Sequence, residues 1–477
     1  MTTWQNAASS PRLGAELRAT LRLAWPLVLT NVAQTALGTT DIILMGRFSP
    51  DALAAGVLGW TLYFALVIFG VGVVTATSPM IAIELGRNRH SVRDVRRSVR
   101  QGFWVAVSAF VPMAIILWNG EAVFGLLGQT PELSAAAASY LQTLMWAGLP
   151  FMLYVVLRNF VSALQRPVAS LTVALLAIPV NAVLVWALMF GNLGFPAFGL
   201  AGAGIGTSVT NVLLVAGLAI FISTDRRFRR YRLFGRFWRP DWPRFVEIWR
   251  IGLPIALAIV FEVWIFNAAA FLMGLIGKEE LAAHAVAIQA ASMAFMVPLG
   301  IGMAVTVRVG LAYGRRDQAG AGLAGWTSYA LAVGYALVTA MAFIFAGRPI
   351  VGVFLDLGDP ANAGVVDLAV LYLAFAGLFQ LFDSCQATAI GALRGLSDTR
   401  TPMILAGIGY WGVGLPLGIV LAFPLGLDGV GVWIGLAAGL AVVAFMLTGR
   451  WMLRGRLGLF EGGRLRGLEA GVGASAA

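Results

Sequence analysis

The feature that most constrains this chain is a series of twelve apolar runs, each about as long as a helix that crosses a lipid bilayer. A helix needs about 20 predominantly apolar residues to span the hydrocarbon core. Only helices and closed barrels satisfy their backbone hydrogen bonds there, and these runs are too long for strands. We therefore predict an all-α polytopic membrane protein with twelve transmembrane helices. The runs cover residues 21–44, 54–83, 102–118, 142–164, 171–189, 201–222, 251–275, 282–307, 326–346, 368–392, 402–423 and 430–449.

The composition excludes a water-soluble enzyme. Of the 477 residues, 59% are hydrophobic and only 12% are charged, and the mean hydropathy is +0.85. Soluble domains carry roughly 25% charged residues, so this chain cannot cover the surface of a globule in water. The single cysteine, Cys385, excludes an internal disulfide and a paired-cysteine metal site. We expect no cofactor.

The basic residues predict the orientation of the helices, because lysine and arginine in short loops stay cytoplasmic during insertion. With the N-terminus inside and the loops alternating, all but Arg47, Lys278 and Arg348 of the 33 basic residues fall in cytoplasmic segments. This register assigns Arg158 and Arg394 to such segments. It predicts a multi-pass membrane protein with both termini cytoplasmic. The net charge of +11 then reflects topology and attraction to the lipid bilayer, so we expect no nucleic-acid partner.

The two halves of the chain resemble each other at a fixed offset of 228 residues. Pro26 matches Pro254, and the Leu-Met-Gly triplet at 44–46 recurs at 272–274. Two sets of six helices that both start inside form a parallel repeat, and transporters with such repeats bind substrate between the halves and rock them to alternate access. We predict a six-helix bundle over 1–223, a basic cytoplasmic linker over 224–250, a second six-helix bundle over 251–453 and a cytoplasmic tail over 454–477.

Three carboxylates lie well inside the predicted spans: Asp41, Glu262 and Asp383. An acid at the bilayer centre costs about 2.5–3.5 kcal/mol on insertion scales, so it is a functional candidate. At a rise of about 1.5 Å per residue, Glu262 and Asp383 lie near mid-bilayer and Asp41 lies in the outer half. The register places no arginine, lysine or histidine at a depth that would neutralise the central pair. We predict that the three carboxylates hold a coupling ion, H⁺ or Na⁺, with Na⁺ bound at Glu262 and Asp383 as one alternative.

Polar and aromatic side chains accompany these acids at helical spacing. Asn31, Gln34 and Asp41 share one helix face, and Gln380 shares a face with Asp383. Polar residues that share a helix face either contact substrate or form hydrogen bonds between neighbouring helices. The spacing does not decide between these two interpretations. The faces of aromatic rings attract organic cations. Packing or contact with lipid also explains most of the aromatic residues near these acids. The residues predicted to bind substrate are Gln34, Asn31, Asn181, Phe261, Phe266, Asn267, Gln289, Phe379, Gln380 and Tyr410.

Three segments around these acids resemble the multidrug and toxic-compound extrusion (MATE) family, and most closely its NorM-like branch. They are QTALGTTDIILMG around Asp41, GLPIALAIVFEV around Glu262 and FQLFDSCQATAIGALRGLSDTRTP around Asp383. The resemblance implies two six-helix bundles that form a V-shaped central cavity. It also implies the export of organic cations in exchange for Na⁺ or H⁺. The three acids match the family's acids in helices one, seven and ten.

Two positions depart from the pattern of that family. Some sodium-driven relatives carry a tyrosine four residues before the tenth-helix acid, where this chain has Phe379, so a hydroxyl ligand is missing. The DinF-like branch pairs an asparagine in helix five with an aspartate four residues later. Here Asn181 is followed by Val185 at that spacing, which argues against a proton site of that kind in the N-terminal half.

The resulting hypothesis is a secondary antiporter, expected to be a monomer, in which a drug cation and the incoming ion compete for the carboxylates. The alternative is a flippase for lipid-linked sugars or other amphipathic lipids. Its pyrophosphate cargo would demand arginine or lysine in the cavity, and the register places none there. A hydrolase would need a buried serine–histidine pair or metal ligands. We expect neither His90 nor His284 to be buried, since His284 follows the outer-surface segment 278–280, so no enzymatic activity is predicted.

Overall fold

The structure is a computed structural model that describes residues 11–88, 90–235 and 239–460. Within these ranges every regular element is a helix, and twelve helices are long and apolar enough to cross a membrane. The predicted fold class is therefore confirmed. The spanning helices α1 to α12 are, in order, Leu13–Phe48, Pro50–Arg87, Val92–Trp118, Pro131–Ala163, Val168–Phe190, Leu200–Thr224, Trp242–Ile276, Lys278–Gly314, Gln318–Phe345, Pro360–Gly395, Arg400–Ala422 and Asp428–Met452.

Local sequence signals determine several helix ends. Ser49 caps α2, because its hydroxyl oxygen accepts a hydrogen bond from the Ala52 amide at 3.0 Å, and Pro50 occupies the first helical position. α5 ends at Gly191, whose φ of 76° lies in the left-handed region that glycine adopts without strain. These caps explain why the apolar runs predict the helices well but not their terminal turns.

Polar first turns lengthen α1 and α7 beyond their apolar runs. In α7, Arg244 Nη2 lies 2.8 Å from Glu84 Oε1 in α2, and both side chains are nearly buried. In α1, Glu16 pairs with Arg308 of α8, whose Nε lies 2.8 Å from Glu16 Oε1. Residues 16 and 244 are equivalent in the repeat, so both halves form an ion pair at this position with opposite charges, although the partners Arg308 and Glu84 are not equivalent to each other. A search for apolar runs does not find these first turns, because they contain charged residues. The charges are compensated by partners on other helices.

Contacts divide the chain into two compact units. Unit 1 lies within Met1–Trp25, Gly86–Asn88 and Phe261–Ala477, and unit 2 within Pro26–Leu85 and Arg89–Val260. Each of α1 and α7 therefore contributes residues to both units. The predicted bundle boundaries at 223 and 251 follow the sequence repeat instead and stay a prediction.

The helix α11 contains a π-helical turn, Ile408–Gly414, between Arg400–Gly407 and Leu415–Ala422. Such turns widen a helix locally and are frequent at functional sites. Glycines let this region pack closely on α12: a Cβ atom at Gly439 would lie 2.7 Å from Gly414 Cα, and one at Gly435 would collide with the backbone of Gly418. The close packing holds the π turn, which carries Tyr410, in place.

We expect Gly435→Val to lower the thermal unfolding temperature of the purified protein, because the new side chain overlaps the Gly418 backbone. Overpacking of this kind costs about 1–3 kcal/mol. The matched control is Gly449→Val in the same helix, since nothing lies within 4 Å of a Cβ atom at Gly449. Equal melting temperatures for the two variants would contradict the close packing of α11 on α12.

Candidate functional site

In unit 2, Asp41 of α1 forms two short hydrogen bonds with side chains of other helices. Asn181 of α5 donates its amide to Asp41 Oδ1 at 2.6 Å, and the Thr207 hydroxyl of α6 donates to Asp41 Oδ2 at 2.6 Å. Asp41 is only 2% exposed. Two donors thus compensate this buried carboxylate, one for each oxygen.

Close packing of α5 on α6 brings these two donors together. A Cβ atom at Gly206 would lie 2.8 Å from the side chain of Val185, so only glycine permits this approach. Val185 itself is fully buried. The position that holds an aspartate in the DinF-like pattern therefore serves helix packing here, and the neighbouring Thr207 takes the contact with Asp41.

The other predicted polar residues of α1 contact an arginine. Arg158 Nη1 lies 3.5 Å from Asn31 Oδ1 and 3.3 Å from Gln34 Oε1. The count of basic residues assigns Arg158 to a cytoplasmic segment. In the structure it lies within α4, five residues before the end of the helix, and is 7% exposed rather than solvated. Side chains on a helix point back toward its N-terminus, so an arginine near the end of a span reaches into it.

Unit 1 gathers the two predicted central acids. Asp383 of α10 is 4% exposed and interacts electrostatically with Glu262 of α7. Gln386, one helical turn after Asp383, lies within hydrogen-bonding reach of Glu262 and donates to the Tyr410 hydroxyl at 2.8 Å. Tyr410, carried by the π turn of α11, interacts electrostatically with both acids. Three helices thus meet around two neighbouring carboxyl groups.

A basic residue lies near this acidic pair, contrary to prediction. Arg394, in the last turn of α10, interacts electrostatically with Glu262. The predicted distribution of basic residues assigns Arg394 to a cytoplasmic segment because its backbone lies at a helix end. Its side chain extends back along α10 for the same geometric reason as that of Arg158. The prediction that no arginine neutralises the central acids is therefore wrong for Glu262.

Several polar atoms around Asp383 have no hydrogen-bond partner among the described residues. They are Asp383 Oδ1, both amide atoms of Gln380, Ser384 Oγ and Gln386 Oε1. Buried polar groups are nearly always paired, and unpaired ones call for an explanation such as a bound ion or water. Three of these unpaired atoms are oxygens of carboxyl or amide groups. Such oxygens are the ligands that a hard cation such as Na⁺ prefers.

Aromatic rings of unit 1 form a cluster next to the acids. The Phe266 and Phe379 rings meet edge to face at 5.8 Å, and Phe379 meets Trp433 at 6.2 Å. His284 also contacts Trp433, with ring centroids 5.5 Å apart, and is only 2% exposed. The expectation that His284 is not buried is wrong, because α8 begins at Lys278 and its second turn packs under α12.

Three of the predicted substrate-binding residues lie apart from these contacts. Asn267 is exposed and donates back to the Val263 carbonyl of its own helix at 2.8 Å. Gln289 is exposed on α8. The Phe261 carbonyl oxygen accepts from the Trp411 indole at 3.3 Å, and its ring packs beside Gly407 of α11.

Four residues of these sites escape the sequence analysis: Arg158, Thr207, Gln386 and Arg394. Gln386 follows Asp383 by three residues, so helical spacing predicts that it shares the face of that acid. Arg158 lies inside the apolar run 142–164, which is itself evidence of burial. For Thr207 no such signal exists, because its partner Asp41 is 166 residues away in the chain.

Comparison with known proteins gives matches over both halves of the chain. The MatE family profile matches residues 26–187 and 254–420. A protein of Mesorhizobium japonicum named "Probable multidrug resistance protein NorM" is 56% identical over 442 residues, which cover 93% of this chain and 95% of that relative. The protein of the same name from Brucella suis is 53% identical over 440 residues, with 92% and 93% covered.

Solved structures share the fold. The crystal structure of the eukaryotic MATE transporter AtDTX14 has a TM-score of 0.82 at 20% identity and covers 92% of this chain and 96% of its own. An outward-facing multidrug resistance MATE family transporter of the MOP superfamily also has a TM-score of 0.82 at 20% identity, with 94% and 97% covered. The resemblance seen in three sequence segments is confirmed by matches in both halves and by these close relatives, and the chain belongs to the MatE (multidrug and toxic-compound extrusion) family.

Proposed function

We propose that this protein is a secondary antiporter that exports organic cations and drugs in exchange for Na⁺ or H⁺ by alternating access. The observation that carries the proposal is the pair Glu262 and Asp383, two neighbouring acids of unit 1, of which Asp383 leaves Oδ1 without a partner in the part of the chain that the structure describes. Acids held inside a membrane bundle mark ion and substrate pathways. The names of the NorM relatives support drug export.

Coupling follows from competition for the same negative charge. A proton or Na⁺ bound between Glu262 and Asp383 cancels the charge that would attract a cationic drug. A bound drug cation likewise weakens ion binding, because linkage is reciprocal. Oxygen atoms of Asp383 and Gln386 that lack partners offer ligands to Na⁺. The ring pair of Phe266 and Phe379 offers an aromatic contact to an organic cation.

Asp41 holds a second coupling-ion site in this proposal, with Asn181 and Thr207 around it. This site differs from the other one because both carboxylate oxygens already accept hydrogen bonds. The proposed location is a bacterial cytoplasmic membrane with both termini inside, supported by the placement of nearly all basic residues on one side of the predicted spans.

The test is ethidium uptake into inverted membrane vesicles under an imposed pH gradient and, separately, an imposed Na⁺ gradient. We expect uptake to follow one of the two gradients and to stop when that gradient is collapsed by an ionophore. Vesicles from cells without the protein give the background. Uptake at background level under both gradients would overturn the proposal.

Arg158, which is buried, and Arg394, which is half-buried, bear on the flippase alternative, since lipid pyrophosphate needs basic partners. Arg394 interacts with Glu262, which reduces the charge it offers to a ligand, whereas Arg158 donates only to amide oxygens of the described residues. A raised melting temperature with a lipid-linked pyrophosphate, together with no gradient-driven ethidium uptake, would favour the flippase.

A further inference from the structure

Arg158 is a buried cation of unit 2 for which the proposed ion coupling has no use. It lies in α4 with 93% of its surface covered, given its 7% exposure. Among the residues that the structure describes, no carboxylate lies within 4.0 Å of its guanidinium. Burying a charge is costly unless it is paired or coordinated. The position therefore needs an explanation beyond helix packing.

The neighbours of Arg158 compensate its charge only in part. Asn31 and Gln34 offer neutral amide oxygens to Nη1 at 3.5 and 3.3 Å, long distances for bonds to a guanidinium. Arg158 Nε has no acceptor among the described residues. The Gln34 amide lies within hydrogen-bonding reach of the Tyr154 hydroxyl. The unpaired Nε–H is a hydrogen-bond donor on a guanidinium that has no carboxylate partner in the described part of the chain, so this edge of Arg158 is suited to an anion.

The repeat makes this imbalance specific to the N-terminal half. Gln34 and Glu262 occupy equivalent positions at the offset of 228 residues. In unit 1, Gln386 occupies the position equivalent to Arg158, and its amide lies within hydrogen-bonding reach of the Glu262 carboxylate. In unit 2, the guanidinium of Arg158 meets the amide of Gln34. This pair of equivalent positions therefore carries a negative charge in unit 1 and a positive charge in unit 2.

We propose that Arg158, with Asn31 and Gln34, forms a subsite that binds a carboxylate group of the transported substrate. A carboxylate accepts two parallel hydrogen bonds from the edge of a guanidinium, and the unpaired Nε lies on that edge. The substrates it favours are zwitterions, organic cations that also carry a carboxylate. This inference rests on the proposed export of organic cations, because the carboxylate arrives as part of such a molecule.

The experiment uses two dyes that differ only at the carboxyl group: rhodamine 19, a free carboxylate at neutral pH, and its ethyl ester, rhodamine 6G. Fluorescence anisotropy of each dye with the purified full-length protein gives the two dissociation constants. The readout is their ratio. In Arg158→Gln we expect rhodamine 19 to lose about 10-fold or more in affinity relative to rhodamine 6G, since a hydrogen-bonded charge pair is lost.

Two further variants make the test independent of the folding of Arg158→Gln. Gln34→Glu supplies a protein carboxylate to Arg158, as Glu262 does for Arg394, so the preference for rhodamine 19 should disappear while the melting temperature is kept or raised. Arg166→Gln, at the exposed end of the same region, should leave the ratio at its wild-type value. A wild-type ratio in either Arg158→Gln or Gln34→Glu would overturn the subsite, and so would an equal loss of both dyes.

The outcome separates this inference from the proposed function. Ethidium carries no carboxylate, so its gradient-driven uptake tests antiport without involving the subsite. A ratio of the two dissociation constants that does not change in Arg158→Gln, in a protein with gradient-driven ethidium uptake, contradicts the subsite alone. A dye preference that depends on Arg158 in a protein without gradient-driven uptake contradicts antiport alone.

Discussion

Asp383→Asn is expected to reduce gradient-driven ethidium export strongly while leaving the protein at least as stable as the wild type. Asparagine keeps the size of the side chain but removes the charge that faces Glu262. Asp383 Oδ1 has no hydrogen-bond partner among residues 11–88, 90–235 and 239–460, so no bond to them is lost at that atom. Coupling between two ligands is typically worth about 5–150-fold in affinity, so ion-driven export should fall at least about 5-fold.

The partner variant Glu262→Gln should lose export in the same way but should also lose stability. Its carboxyl group is the acid with which Arg394 interacts, and its removal leaves that half-buried arginine without compensation. Partial exposure screens the pair, so the loss of stability should stay below the about 3–5 kcal/mol that breaking a fully buried charge pair costs. Asp383→Asn should keep the stability of the protein, whereas Glu262→Gln should lower it. This difference would show that Asp383 only binds the ion, while Glu262 also compensates the charge of Arg394.

Both variants are measured in inverted vesicles for export and by thermal unfolding of the purified protein for stability. Asp367→Asn is the matched control, because Asp367 is exposed near the start of the same helix, α10. Wild-type export by Asp383→Asn or Glu262→Gln, at equal amounts of inserted protein, would refute the coupling role. A large loss of stability in Asp383→Asn would show that its carboxylate has a structural partner instead.

The helices and the acids are predictable because they depend on local properties of the sequence. An apolar run near 20 residues identifies a span whatever surrounds it. Asp41, Glu262 and Asp383 stand out because charges are rare inside such runs. The face shared by Asn31 and Gln34 follows from helical spacing, and in the structure both do meet one partner, Arg158.

The partners of these residues are not predictable in the same way, because they come from distant parts of the chain. Asn181 lies 140 residues and Thr207 166 residues from Asp41, and only the packing of α5 on α6 brings them together. Arg158 and Arg394 mislead for a different reason. A charge count assigns each residue by the position of its backbone, whereas a long side chain near a helix end occupies the turn before it.

Thr207→Val is expected to lower the free energy of unfolding by about 1.5–3 kcal/mol, the usual contribution of a hydrogen bond to a charged group. Valine matches threonine in shape but leaves Asp41 Oδ2 without its donor at 2.6 Å. In an Asp41→Asn background the same substitution should cost clearly less, since no carboxylate remains to be left unpaired. The double-mutant cycle should therefore give an interaction energy of about 0.5–3 kcal/mol.

Denaturant unfolding of the four proteins in micelles measures this cycle, and vesicle export of ethidium separates stability from coupling. Asp41→Asn removes the carboxylate and should lose ion-driven export, whereas Thr207→Val keeps the carboxylate and should retain it. Additive stability effects would mean that the Thr207 hydroxyl does not stabilise Asp41. Because Asp41 has a donor for each oxygen and Asp383 leaves one oxygen unpaired, an ion that binds at Asp41 must compete with hydrogen bonds already formed, and one that binds at Asp383 need not.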